Sequence, residues 1–166
     1  MIIGSCGSGK STLSIELCQI LNLPLIHLDK EYWKPGWIET PKDEWNEKVN
    51  NFVLNEDWII DGNYNDTLDI RFKRANTVIF LDYSRYICLY GIIKRALLSF
   101  GKNRIDMGVG CKEKVPDLQF IKFVWEFPKK SKPKIYNKLN EYKNLNHIIL
   151  SNRKETNNFI KNIIKK

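Results

Sequence analysis

No apolar run in this 166-residue sequence exceeds a few residues, whereas a membrane-spanning helix needs about 20. The N-terminus also lacks the charged start and apolar core of a secretion signal, so a soluble, cytoplasmic protein without a membrane partner is expected. Only two histidines are present, and the four cysteines, Cys6, Cys18, Cys88 and Cys111, form no Cys-x-x-Cys pair. That excludes a structural zinc site of the usual spacing and leaves reduced, mostly buried thiols as the expectation. Repeats and low-complexity linkers are missing too, so residues 1–166 are read as a single domain. Acidic residues are the scarcer charge: 27 lysines and arginines face 19 aspartates and glutamates, for a net charge of +8. An anionic partner follows, and a nucleotide, a phosphorylated metabolite or a nucleic acid fits that charge equally well. Much of the excess lies in "FPKKSKPK" and "KNIIKK", which read as solvated faces.

What is present is an alternation of short apolar runs with amphipathic ones, the pattern of a parallel sheet covered by helices. "MII", "LPLIHLD", "DWIID", "TVIFLD" and "HIIL" read as five buried strands. Between the second and third, Thr40 is predicted to cap a helix with Pro41 at its first position and Trp45, Val49, Phe52 and Val53 on its buried face. Further helices are expected from Ser84 to Phe100, over "LQFIKFVWEF" and "PKIYNKLNEYK", and at the C-terminus on Phe159, Ile160, Ile163 and Ile164. The polar stretch 101–117 between two of these is the expected insertion, read as a lid.

"GSCGSGKS", Gly4 to Ser11, satisfies G-x-x-x-x-G-K-[S/T] between an apolar strand and a helix with Leu13, Leu17, Ile20 and Leu21 on one face. Glycines let the backbone curl so that successive N–H groups face a polyphosphate, and the helix N-terminus adds its positive end. Gly4, Ser5, Cys6, Gly7, Ser8, Gly9, Lys10, Ser11 and Thr12 are therefore assigned to ATP. Lys10 would reach the β- and γ-phosphates, and the Ser11 hydroxyl would hold Mg2+. The strand before the loop has three residues, short against the usual five or six or so.

Asp29, Asp61 and Asp82 each follow an apolar run, which puts them at the carboxyl edge where open α/β sheets gather ligands; the alternative for each is a loop cap. Asp61 is the candidate to support Mg2+, and Asn63 and Tyr64 after it in "DGNY" are assigned with it to the substrate side. Phosphoryl transfer requires cations around the moving group. Arg95, leading into the insertion, and Arg104, within it, stand where a lid would need them. Arg71 and Arg85 are placed as a clamp on a second anionic substrate, and each of these arginines has the alternative of a surface ion pair. Tyr32 and Trp33 in "KEYWKPGW" either stack on the substrate or close the loop by packing, and packing is the reading for Trp37.

Taken together, "GSCGSGKST", "IHLDKEYWKPGW", "DWIIDGNY", "TVIFLDYSRYICLYGIIKR" and "NRIDMGVGC" resemble the bacterial topology modulation protein family, among the adenylate-kinase-like P-loop kinases. The likeness runs from residue 1 to about Pro133. It implies a three-layer α/β P-loop NTPase fold with a five-stranded parallel sheet, ATP on the glycine loop, an acceptor region after the second strand and a helical, arginine-bearing lid after the fourth. Asp61 matches the aspartate of the adenylate kinase motif "DGFPR", whose arginine is Asn65 here, a departure that counts against a nucleoside monophosphate acceptor. Arg95 matches the arginine that opens the lid, and Ser151 to Arg153 match the loop against adenine. Asp29 resembles the acceptor-hydroxyl aspartate of kinases acting on small alcohols and nucleosides.

The expected function is thus transfer of the ATP γ-phosphate to a small acceptor, a nucleoside or hydroxylated metabolite, with Lys10, Asp29, Arg95 and Arg104 as catalytic residues. Asp29 serves as general base or orients the hydroxyl. A nucleoside monophosphate kinase is the first alternative, since a phosphate acceptor needs no base. An ATP-switched, nucleic-acid-associated regulator of DNA topology is the second; the net charge and the basic "PKKSKPK" support it, but no DNA- or RNA-binding motif is visible.

Overall fold

In β1 (Ile2–Gly4), the side chains of Ile2 and Ile3 point to opposite faces of the sheet, and each face meets its own layer of helices. The computed structural model describes residues 1–165. The elements that follow are α1 (Lys10–Leu21), β2 (Leu25–His27), α2 (Leu28–Tyr32), a two-stranded ribbon of β3 (Trp33–Lys34) and β4 (Ile38–Glu39), α3 (Lys42–Phe52) and β5 (Ile59–Asp61). Then come α4 (Leu68–Arg74), β6 (Thr77–Leu81), α5 (Arg85–Ser99), α6 (Leu118–Lys130), α7 (Lys132–Glu141), β7 (Asn146–Leu150) and α8 (Arg153–Ile164). β2, β5, β1, β6 and β7 pair in that order into a five-stranded, wholly parallel sheet.

On one face, Ile2, Ile59, Ile79 and Leu81 pack with Leu13 and Leu17 of α1, Cys88 and Ile92 of α5, and Phe159, Ile160 and Ile163 of α8. On the other, Ile3, Val78 and Phe80 meet Leu68 and Phe72 of α4 and Ile135 and Leu139 of α7, while Ile60 meets Trp45 and Val49 of α3. Period-two alternation in the strands and the apolar stripes of the helices thus close two cores around one sheet. No helix among the described residues is long and apolar enough to cross a membrane.

Several local expectations change. The second strand ends at His27, and Asp29 lies on the first turn of α2. Thr40 is not the cap of α3: extended Pro41 takes that position, and the Thr40 hydroxyl donates to the Tyr32 carbonyl, tying the start of α3 to the end of α2. α4 and the ribbon answer to no expected element; both are too short to show a period. Leu21 and Ile164, placed on buried faces by spacing, are 45% and 63% exposed, each being the last residue of its helix. Segment 101–117 itself consists of turns and isolated bridges, so the helices of the insertion are its flanks, α5 and α6.

The chain leaves β1 toward β2 and β5 on one side and reaches β6 and β7 on the other. The crevice at this reversal lies outside the carboxyl end of β1, where the glycine loop sits. α5 backs that loop, backbone against backbone: a methyl group at Gly91 would overlap the Gly7 carbonyl, and one at Gly7 would overlap the Cys88 carbonyl. Gly91→Ala is therefore expected to destabilise the protein by about 1–3 kcal/mol through overpacking and to weaken nucleotide binding as well. Urea unfolding and a fluorescent-nucleotide titration of the variant check both effects.

Candidate functional site

The loop from Gly4 to Ser11 turns by way of Gly7 and Gly9, at φ 78° and 96°, a left-handed region that favours glycine. Gly9 stands at the cap position of α1 without any side-chain cap, and the first turn of α1 carries no acidic residue. The first N–H groups of a twelve-residue helix are thereby left to an anion. The Ser8 hydroxyl oxygen is buried in the same loop with no partner among the described residues. Lys10 folds back on the loop, its Nζ donating to the Ser5 carbonyl at 3.0 Å. An uncapped helix start, an orphaned hydroxyl and a lysine bonded only to loop carbonyl oxygen fit a polyphosphate. No cluster of three or more His, Cys, Asp or Glu side chains that could hold a metal ion exists among the described residues.

The loop after β5 braces the glycine loop. Asn63 pairs with both backbone groups of Gly4: its Nδ2 donates to the Gly4 carbonyl at 2.7 Å and its Oδ1 accepts from the Gly4 N–H at 2.9 Å. This corrects its assignment to substrate, since a three-residue β1 leaves Gly4 needing partners, and the amide supplies them. Arg71 is corrected likewise. It is 0% exposed, and its guanidinium donates to the carbonyls of Gly62, Asn63, Tyr64 and Thr67. Burial brings its pKa down to about 9, against the raising pull of Tyr64 and Asp61. With its donors spent on backbone oxygens, Arg71 shapes the loop and clamps no substrate.

Asp61 is 4% exposed; its Oδ1 lies 2.8 Å from His27 Nδ1, and its Oδ2 accepts from Ser14 Oγ at 3.1 Å. Ser14 Oγ also contacts the Ser11 carbonyl at 2.9 Å. The carboxylate is therefore linked through Ser14 to the backbone carbonyl of Ser11, and each of its oxygens has a partner. Arg85 lies over the Trp125 ring at 4.6 Å, turned toward α6 by a cation–π contact. Asp82 accepts from Tyr136 and pairs with Lys132, both of α7. Arg153 begins α8 and is exposed, with Asn152 capping the helix.

The structure brings the other assigned residues together. Burial pushes the Cys6 thiol up, and the charges acting on it are those of Lys10, Asp29, Arg95 and Arg104. Charges carried by the loop, α2, α5 and the insertion thus all act within electrostatic reach of Cys6 in the glycine loop. Tyr64, at φ 37°, donates its hydroxyl to Asp29 Oδ1 at 2.7 Å. Burial and the adjacent Asp29 carboxylate push the Tyr64 phenol far above its ordinary value, so it remains a donor. Tyr32 packs edge-on or tilted against Trp33, Trp45 and Tyr64, with ring centroids 4.7–5.1 Å apart, and Trp33 packs against Trp37. The Trp37 indole Nε1 also donates to the Lys112 carbonyl.

Four residues escaped sequence reasoning: His27, Ser14, Asp106 and Glu113. Glu113 accepts from Arg95 Nε and from Arg104 Nη1, both at 2.9 Å, and Asp106 accepts from Arg104 Nε at 3.0 Å. Burial pushes the Asp106 carboxyl up, but Arg104 beside it and a hydrogen bond from Ser11 hold it below its ordinary value. The insertion lies against the ribbon too: Gly108 touches the Trp33 carbonyl, where a side chain would collide, and Cys111 Sγ faces the carbonyls of Trp33 and Lys34. No local pattern announces these contacts, because apart from Arg104 and Asp106 they join residues 9 or more positions apart.

Burial lowers the pKa of His27, but the hydrogen bond and charge of Asp61 outweigh it and leave the imidazole above its ordinary value of 6.5. A raised folded pKa means that the ion pair contributes fully below the unfolded value and is lost as pH rises through the folded one. In metal-free buffer the wild type should therefore lose stability relative to His27→Gln as pH rises above 6.5. Urea midpoints of both proteins measured between pH 5.5 and 9 (roughly the window in which imidazole titrates) check this, and parallel curves contradict it.

No family model matches the chain, and no curated protein does. Among solved structures, a shikimate kinase from Aquifex aeolicus vf5 superposes on 99% of this chain and 92% of its own, with a TM-score of 0.54 at 18% identity. A deoxyadenosine kinase from M. mycoides with bound dCTP covers 99% of this chain and 97% of its own, with a TM-score of 0.48 at 15% identity. The likeness to the shikimate kinase is one of fold, and with the parallel sheet of order β2-β5-β1-β6-β7 it makes this a three-layer α/β P-loop NTPase fold.

Proposed function

We propose that the protein is an ATP- and Mg2+-dependent phosphotransferase that passes the γ-phosphoryl group to the hydroxyl of a small acceptor, a nucleoside or other hydroxylated metabolite. The observation that carries this reading is the glycine loop on the uncapped start of α1 with Lys10 folded onto it, and Tyr64 holding Asp29 whose charge acts on Cys6 of that loop. The kinase fold and the motif likeness to topology modulation proteins support it. Free thiols at all four cysteines accord with a reducing, cytoplasmic setting.

In this reading the loop N–H groups and Lys10 bind the donor phosphates, and Ser11, backed by Asp61 through Ser14, holds Mg2+. The ion neutralises phosphate charge when bound. Asp29 Oδ1 is fixed by Tyr64, so Oδ2 is the oxygen available to an acceptor hydroxyl; it takes the proton as the acceptor oxygen bonds to phosphorus and ADP departs. Arg95 and Arg104 offset the charge on the moving phosphoryl group. A nucleoside monophosphate acceptor is disfavoured by the commitment of Arg71 to backbone carbonyls and of Arg85 to Trp125.

A phosphate-transfer screen over nucleosides, nucleotides and small polyols tests this. Lys10→Ala should abolish transfer. Asp29→Asn should keep ATP binding while lowering turnover about 10²–10⁴-fold, the usual contribution of a general base. ATP binding with no transfer to any acceptor would overturn the enzyme reading.

A further inference from the structure

Glu113 sits in a polar surface insertion, yet its side chain is 5% exposed. Its N–H donates to the Lys102 carbonyl at 2.9 Å and its carbonyl accepts from the Gly101 N–H at 3.0 Å, so the backbone at this position is pinned on both sides. Its two carboxylate oxygens are divided between two arginines from different elements: Oε1 takes Arg95 Nε of α5, and Oε2 takes Arg104 Nη1 of the insertion. A guanidinium has five N–H donors in one rigid plane. Arg95 uses one of its N–H groups on Glu113, and Arg104 uses one on Glu113 and one on Asp106, so each retains a terminal nitrogen for phosphate oxygens. The carboxylate therefore holds the two planes without consuming them. It also partly offsets the repulsion between two cations brought to one loop.

We propose that Glu113 is the positioning residue that joins Arg95 and Arg104 into one clamp on the transferred phosphoryl group, an inference that rests on the phosphotransferase reading above. Glu113 touches no substrate; it acts by fixing both guanidiniums at once, so that α5 and the insertion bear on the glycine loop as a unit.

The test uses the full chain labelled with 15N, as wild type and as Glu113→Gln, which keeps the shape and removes the charge. In the wild type the Arg95 Nε–H and Arg104 Nη1–H resonances, the two groups bonded to Glu113, should both exchange slowly with water. In Glu113→Gln both should exchange at least tenfold faster, while the dissociation constant for Mg2+·AMP-PNP changes less than threefold. With an acceptor from the screen, kcat should fall at least tenfold with KM for ATP within threefold, a split that a merely structural loss would not produce. If Glu113→Gln fails to fold, Glu113→Asp takes its place: its shorter reach should release at least one arginine and lower kcat at least fivefold. Release of neither arginine, or an unchanged kcat, overturns the proposal. A wild type that binds no Mg2+·AMP-PNP overturns the phosphotransferase reading instead, and the arginine resonances still report whether Glu113 holds both side chains.

Discussion

The close approach of α5 to the glycine loop is the constraint on which the rest of the structure depends. A polyphosphate loop needs inward N–H groups, hence backbone in conformations that few residues other than glycine adopt readily, and such a loop has little side-chain packing with which to hold its shape. Here the shape is imposed from outside. Gly91 and Cys88 of α5 lie directly against Gly7, and the Asn63 amide replaces the ladder partners that Gly4 lacks at the end of a short strand. The same contact fixes α5 against the glycine loop, and the last turns of that helix carry Arg95, which pairs with Glu113.

Charge is sorted by the same packing. Of four arginines with equal claims to an anionic ligand, burial and geometry remove two. Arg71 is consumed by the carbonyls of the loop after β5, and Arg85 is drawn onto Trp125. Arg95 and Arg104 keep free donors beside the glycine loop because one carboxylate, Glu113, carries them both. On the acceptor side, Asp29 keeps one oxygen open because a single phenol, Tyr64, holds the other. Under the proposed phosphotransferase reading, the two arginines would serve the donor and the Asp29 carboxylate a neutral hydroxyl acceptor.

Legibility varied with the range of the interaction. The glycine loop, the five sheet strands and α1, α3, α5, α6, α7 and α8 were readable because each is specified by neighbours within one turn or one strand, through apolar period and turn chemistry. Lys10 and Ser11 follow from the loop, and Asp29 from its place after an apolar run. α4 and the ribbon were not readable, since seven residues or two hold too little period to register. Asn63 and Arg71 were misread for another reason: polar residues near a ligand edge look alike in sequence whether they face the ligand or brace the backbone behind it.

The sequence by itself determined the sheet, the donor loop and the set of charged residues from which a site could be made, because hydrophobic alternation and backbone conformation are local properties. Only the tertiary structure decided which of those charges are free. Whether a guanidinium meets a carbonyl, a ring, a carboxylate or open space depends on residues 9 to 40 positions away in the chain, as with Arg71 and Gly62 or Arg85 and Trp125. That choice is made by packing, after the local structure has formed.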